Sequence, residues 1–143
     1  MNVDGRCHCG HIVYEAKIDP AKVRICHCTD CQTLSGSAFR TNALTEPDGF
    51  RLLSGELKTY VKIAESGAKR QQSFCPQCGT PIYATSDGAG PKVYGIRLGT
   101  IRQRGELVPR LQIWCGSAQP WVKHLDEIQR RDEALDRTAR PGG

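Results

Sequence analysis

Between Ile12 and Cys115 apolar and polar residues follow one another in short runs that Gly, Pro, Asp and Ser repeatedly interrupt. "LKTYVKI" and "VYGIRLG" carry the two-residue period of a strand with one face in a core and the other in water. This pattern predicts strands over 12–18, 23–27, 37–44, 50–54, 57–63, 71–74, 82–86, 92–98 and 111–115, and a mainly β, antiparallel domain spanning 1–125. The helical signal is weak until Asp126. There "DEIQRRDEALDRTA" places acidic residues in a first turn and basic ones later, in keeping with the helix dipole. Its apolar stripe is thin, Ile128 with Ala134 and Leu135, so 126–143 reads as a peripheral helix or a flexible tail. Neither a solenoid-length repeat nor a low-complexity linker is seen.

A chain of 143 residues is the size of one domain and buries enough surface to fold without disulfide staples. It has no run long enough for a membrane-spanning helix, and its first nine residues lack the apolar stretch of a secretory signal. A cytoplasmic location is expected. The formal charge of +5 is modest, and part of it lies in the tail "RRDEALDRTARPGG". Nucleic acid is therefore an unlikely partner and a membrane is not expected.

The eight cysteines change the picture, because cytosolic thiols are kept reduced and need a purpose other than disulfides. They form three clusters and a singleton: Cys7-x-Cys9, Cys26-x-Cys28-x-x-Cys31, Cys75-x-x-Cys78, and Cys115. The first and third end in glycine, as "CHCG" and "CPQCG". Glycine there lets the backbone turn with positive φ and aim amides back at the sulfurs. Two such knuckles supply four sulfurs, so Cys7, Cys9, Cys75 and Cys78 predict a closed structural zinc site that ties distant strands together. The competing readings of a lone C-x-x-C are a redox pair or unrelated core thiols.

Cys26, Cys28 and Cys31 remain. Three protein ligands with the fourth position open is the arrangement of catalytic zinc. Two other readings stand beside it: Cys115 closes a second four-cysteine site, or Cys115 is an ordinary half-buried thiol. His8 and His27, between ligands, are expected to point away, because alternate residues of an extended segment face opposite sides. His11 and His124 carry no pattern that singles them out. Ser35, Gly36 and Ser37 are expected to line the open position, with amides free for an oxyanion or carboxylate; a plain turn is the alternative.

"GRCHCGHIVYEA", "CHCTDCQTLSGSAF", "FCPQCGTPIY", "GIRLGTI" and "VPRLQIWCGSAQPWV", in this order, resemble the glutathione-dependent formaldehyde-activating enzyme (GFA) family, which also contains centromere protein V. The likeness runs from about Gly5 to Val122. It implies a β-tent fold with two zinc ions, one structural on Cys7, Cys9, Cys75 and Cys78 and one catalytic on Cys26, Cys28 and Cys31. It also implies a carbon–sulfur lyase activity, in which formaldehyde and glutathione interconvert with S-hydroxymethylglutathione. Two positions depart from the family: Ile101–Arg102 stands where a Leu-Asp pair is common, and Gln112 where a histidine is common.

Two classes of function follow. One is a zinc-dependent carbon–sulfur lyase acting on glutathione or another small thiol; the other is a non-catalytic zinc-stabilised module that binds protein or nucleic acid. Arg97, Arg102, Arg104 and Arg110 suit either a carboxylate clamp or phosphate contacts, and individually read as solvent-facing charges. Trp114 and Trp121 are expected in the core. The identity of the thiol and the oligomeric state are left open by the sequence.

Overall fold

A computed structural model describes residues 1–134. Its frame is one large sheet of strands β1 (Asn2–Arg6), β2 (Val13–Cys26), β3 (Arg40–Ser54), β4 (Lys58–Ile63), β5 (Lys69–Phe74), β6 (Pro81–Ser86), β7 (Gly95–Arg97) and β8 (Leu111–Ile113). The order is β1-β2-β3-β7-β6-β5-β4, antiparallel throughout, as the alternating pattern predicts. β8 departs from that expectation. It runs parallel to the end of β2, pairing Arg24, Ile25 and Cys26 with Leu111, Gln112 and Ile113. A parallel neighbour needs a long return connection, and the stretch from β7 to β8, with its two 3-10 turns at Leu98–Thr100 and Arg104–Glu106, provides it.

Alternation explains the core in β1 and β2, but the two segments singled out from the sequence depart from it: β4, from "LKTYVKI", is exposed along nearly its whole length, and β7, from "VYGIRLG", is buried on both faces. In β2, Tyr14, Ala16 and Ile18 are buried while Glu15 and Lys17 face solvent, and Val3, Val23, Ala43, Ile82, Ile96 and Ile101 join them. Phe50 packs between Tyr14, Tyr83 and Tyr94, with ring centroids 4.8–5.4 Å apart. Cys7 and Cys75 belong to this cluster, at 1% and 0% exposure, so one metal-binding candidate is rooted in the core.

The segments 12–18 and 23–27 form one long strand, β2, rather than two, and 37–44 and 50–54 likewise contribute to a single β3. The turn residues read as breaks are irregularities inside the strands. Pairing jumps from Ala16↔Phe50 through Ile18↔Thr45 to Val23↔Ala43, and Pro20 and Pro47 fall in the skipped stretches, where no ladder amide is required. Asp48, at φ 54°, both donates its amide to Lys92 O and accepts from Lys92 N on Oδ1. That anchor holds Lys92 at the bulge, and β7 begins only at Gly95.

One helical finding differs from the sequence reading. A seven-residue helix, α1 (Thr29–Ser35), follows β2, too short to leave a periodic signal. Of the two readings of 126–143, peripheral helix or flexible tail, the helix is not seen over 128–134, where a 3-10 segment has ended at Glu127; 135–143 lie outside the described residues. Trp114 and Trp121 are 64% and 48% exposed, not core residues, because both follow β8 on short 3-10 turns at the domain surface. Among the described residues no helix is long and apolar enough to cross a membrane.

Gly5 sits opposite Tyr14 in β1, and a Cβ there would overlap the Tyr14 hydroxyl and the Thr100 carbonyl. The Tyr14 hydroxyl and Thr100 Oγ1 are 2.7 Å apart, so neither side has room to yield. Gly5→Ala is expected to destabilise the metal-loaded protein by about 1–3 kcal/mol, the usual range for overpacking, read from the denaturant midpoint.

Candidate metal centres

Each cysteine cluster sits where a strand ends or turns. Cys7 and Cys9 follow β1, and Cys75 and Cys78 follow β5; Gly10 and Gly79 take φ of 84° and 77°, the left-handed turn that their place after each knuckle requires. The turns aim amides at sulfur: Ile12 N donates to Cys7 Sγ at 3.2 Å, and Gln77 N and Cys78 N donate to Cys75 Sγ at 3.4 and 3.5 Å. Thr80 closes the junction. Its Oγ1 accepts from His8 N at 3.1 Å and lies 3.1 Å from Cys78 Sγ.

The four sulfurs of Cys7, Cys9, Cys75 and Cys78 lie within 4.8 Å of one another. Cys7–Cys9 and Cys9–Cys75 are separated by 3.6 and 3.8 Å. Four sulfurs at about 2.3 Å from a tetrahedral ion stand about 3.8 Å apart, so the set has the dimensions of a zinc–thiolate centre. Its electrostatics point the same way. Thr80 and the Cys9 amide hold the Cys78 thiol down to about 5. The His11 amide pulls on Cys9 as well, but burial and the three neighbouring thiols push it up to about 11. Adjacent sulfurs thus oppose one another's ionisation, a conflict that a dication removes.

Cys26, Cys28 and Cys31 form a second group with the same mutual limit of 4.8 Å. Cys26 ends β2 with its side chain buried. Cys28 caps α1, its Sγ accepting from Cys31 N at 3.2 Å, and one turn of helix returns Cys31 to the same place. Burial, then its two neighbours, push Cys31 up to about 12; burial also pushes on Cys28, but hydrogen bonds from Cys31 and Cys26 and the charge of Lys62 together lower it. The chemistry of the set is again that of a cation site.

His27 and Cys115 stand apart from both groups. His27 is buried against Phe39, and its Nε2 donates to Gln112 Oε1 at 2.8 Å. Gln112, one of the departures from the family pattern, therefore orients the histidine between two cysteines. Arg102, the other, grips Asp4 through two nitrogens at 2.8–3.1 Å and holds that carboxyl at about 2. Cys115 is exposed on a 3-10 turn rather than half-buried. His8 and His11 are also outside the groups; the His11 ring accepts from Glu56 N at 3.3 Å.

Ser35, Gly36 and Ser37 end α1. Gly36 takes φ 63°, and the amides of Gly36 and Ser37 donate to Thr33 O and Gln32 O. Those amides are spent on capping the helix, so they are not free for an oxyanion, in contrast to the sequence expectation. The four arginines suggested by sequence separate as well: Arg97 is buried, Arg102 pairs with Asp4, Arg104 donates to Ile101 O, and the Arg110 amide donates to Val23 O.

Two cavities lie near the three-thiol group; of the two, the larger is lined by one of its thiols. One of about 420 Å³ is bounded by Cys28, Asp30, Lys62, Trp114 and Ser117. Lys62 Nζ meets Asp30 Oδ2 at 2.7 Å on its wall, and Trp114 holds φ 56°, uncommon for so bulky a residue. The other, of about 110 Å³, is bounded by Leu34, Arg40, Gln72, Tyr83 and Arg97. Arg40 and Gln72 escaped the sequence reading. Their only signal was an Arg or Gln on the same side of a strand as a buried residue, which is visible only once the strands are paired.

Cys9→Ser or Cys75→Ser is expected to prevent folding, since a structural zinc couples roughly 10 kcal/mol or more of binding to the folded state. Cys115→Ser should leave metal content unchanged. Elemental analysis and thermal melting check both; a cooperatively melting Cys75→Ser protein with full metal content would contradict the four-sulfur assignment.

A family model of the glutathione-dependent formaldehyde-activating enzyme matches residues 2–117. A Schizosaccharomyces pombe protein described as an uncharacterized lyase is 30% identical over 89 residues, which cover 62% of this chain and 61% of the relative. The matched region thus spans less than two thirds of that relative's length. A crystal structure of a Rhodobacter sphaeroides protein shares the fold, with a TM-score of 0.57 at 23% identity over 78% of this chain and 99% of that one. The match extends over both knuckles, the three-thiol group and the sheet that carries them, and the chain belongs to the glutathione-dependent formaldehyde-activating enzyme family.

Proposed function

We propose that this protein is a zinc-dependent carbon–sulfur lyase acting on the adduct of a small thiol and an aldehyde, as S-hydroxymethylglutathione is. The observation that carries the reading is the three-thiol group at the edge of a cavity of about 420 Å³, a donor set one short of a closed site. In this reading Cys7, Cys9, Cys75 and Cys78 hold a structural zinc and Cys26, Cys28 and Cys31 a catalytic one. A zinc ion on the three thiolates would supply an electrophilic centre able to stabilise a thiolate or polarise an aldehyde oxygen.

The reaction breaks the carbon–sulfur bond of a hydroxymethyl thioether. The bond's electron pair goes to sulfur, the hydroxyl proton leaves oxygen, and the carbonyl forms; sulfur departs as thiolate, or as thiol once it takes a proton from solvent. The chain's own part is positioning. Trp114 and Ser117 bound the cavity on one side and α1 on the other, so the adduct enters beside Cys28. Asp30 and Glu65 on that wall offer carboxylates to pass the hydroxyl proton to water, with Lys62 steadying Asp30.

Cys28→Ser is expected to keep the fold and one metal equivalent while losing the second metal and lyase turnover, because the four-sulfur site lies elsewhere. Cobalt substitution tests the open position directly. Glutathione, cysteine and mercaptoethanol should each alter the sulfur-to-cobalt charge-transfer absorption of one of two cobalt ions. A spectrum of two complete four-sulfur sites, indifferent to every thiol, would remove the lyase reading in favour of a binding module.

A further inference from the structure

Strand pairing gathers cations on one face of the sheet. Directly paired residues project to the same side of antiparallel strands. Cys26 pairs with Arg40 and Arg24 with Asn42; Asn42 in turn pairs with Arg97. Through Ala84, which faces both Gly95 and Gln72, the same face continues to Gln72 and Arg70. Arg24, Arg40, Arg70 and Arg97 therefore share one face with Cys26.

Two of these guanidinium groups are deeply buried. Arg40 is 6% exposed and Arg97 9%. Their partners are neutral: Arg97 donates to Asn42 Oδ1 at 2.7 Å and to Gln72 Oε1 at 2.6 Å, and Arg40 donates to the same Gln72 oxygen at 3.3 Å. Arg97 Nε and Arg24 Nε are buried without a hydrogen-bond partner. Among the described residues, no carboxylate forms an ion pair with any of the four arginines.

Buried cations that lack a counter-charge are costly, and burial together with the charge of Arg40 holds Arg97 down to about 9. Three thiolates around a dication would leave one net negative charge, which offsets one of the two buried guanidinium groups. The remainder calls for an anion, and a recess is present for it. The cavity of about 110 Å³ bounded by Arg40 and Arg97 adjoins the three-thiol group, because Leu34 on its rim lies one helical turn after Cys31 and Arg40 is the strand partner of Cys26.

We propose that Arg40 and Arg97, supported by Arg24 and Arg70, form a carboxylate-binding wall that selects thiols carrying an acid group close to the sulfur. The wall itself is a property of the sheet; its use on a thiol rests on the lyase reading. The forked guanidinium suits a carboxylate's two oxygens, and burial strengthens the pairing. A recess of this volume takes a carboxylate and few further atoms, so these arginines read charge and the larger cavity beside Cys28 takes the rest of the ligand.

Calorimetric titration of the zinc-loaded protein compares mercaptoacetate, mercaptoethanol and cysteamine, thiols of near-equal size with negative, neutral and positive heads, and acetate as a carboxylate without sulfur. Mercaptoacetate is expected to bind about tenfold tighter than mercaptoethanol or better, the worth of a charge-assisted hydrogen bond, with cysteamine weakest. Arg97→Gln should bring the first two within about twofold to threefold of each other. Arg70→Gln, at a half-buried position, should narrow the gap part-way if the more buried variant does not fold. Equal binding of mercaptoacetate and mercaptoethanol to the unmodified protein would overturn the wall and leave the lyase reading intact. Acetate bound in an Arg97-dependent way, with no thiol bound at all, would keep the wall and remove the lyase reading. Loss of the second zinc in Arg97→Gln, with charge preference untouched in Arg70→Gln, would show that the arginines only balance the thiolates, and would also overturn the proposal.

Discussion

Four sulfurs held within 4.8 Å of one another join the turn after β1 to the turn after β5, with Cys9 and Cys75 sixty-six positions apart in sequence. Among the described residues the eight cysteines are free thiols, and sulfurs packed this closely resist shared ionisation, a conflict that a bound cation would remove. Because Cys7 and Cys75 are also core residues, this constraint and hydrophobic packing hold the same parts of the chain. The Gly5–Tyr14–Thr100 contact packs the strand that leads into that junction.

The second sulfur group is built differently. Cys26 is fixed by β2, pinned between β3 on one side and β8 on the other, whereas Cys28 and Cys31 belong to a short helix whose first turn is completed by a sulfur cap. A rigid strand end and one turn of helix place three donors on one spot and leave the flank toward Trp114 open. The two groups thus have different supports: two facing knuckles can surround an ion, while a strand and a helix end approach from one side.

Charge is distributed in a way that serves this second group. The sheet face carrying Cys26 also carries Arg24, Arg40, Arg70 and Arg97, and the neutral acceptors Asn42 and Gln72 keep the two buried guanidinium groups oriented. On the other flank Lys62 is matched by Asp30, so the excess of positive charge is confined to the arginine side. Asymmetry of this kind orients an anionic ligand as well as attracting it.

The sequence by itself determined the β class, a strand over 12–18, the two glycine-ended knuckles and the two cysteine groups. Each is written in local spacing: a period of two, or a glycine after a second thiol, acts over a few residues and needs no partner to be legible. The tertiary structure decided what depends on pairing between distant strands. Pro20 and Pro47 read as breaks and proved to be bulges, because a strand tolerates an absent amide where its neighbour skips as well. Of the two readings of Ser35–Ser37, free amides or a plain turn, the amides of Gly36 and Ser37 follow the second, because they cap α1, a helix too short to show a period. The arginine face was illegible for the same reason. Arg24, Arg40, Arg70 and Arg97 are spread over four strands, and only the register that sets Cys26 against Arg40 and Asn42 against Arg97 brings them to one side.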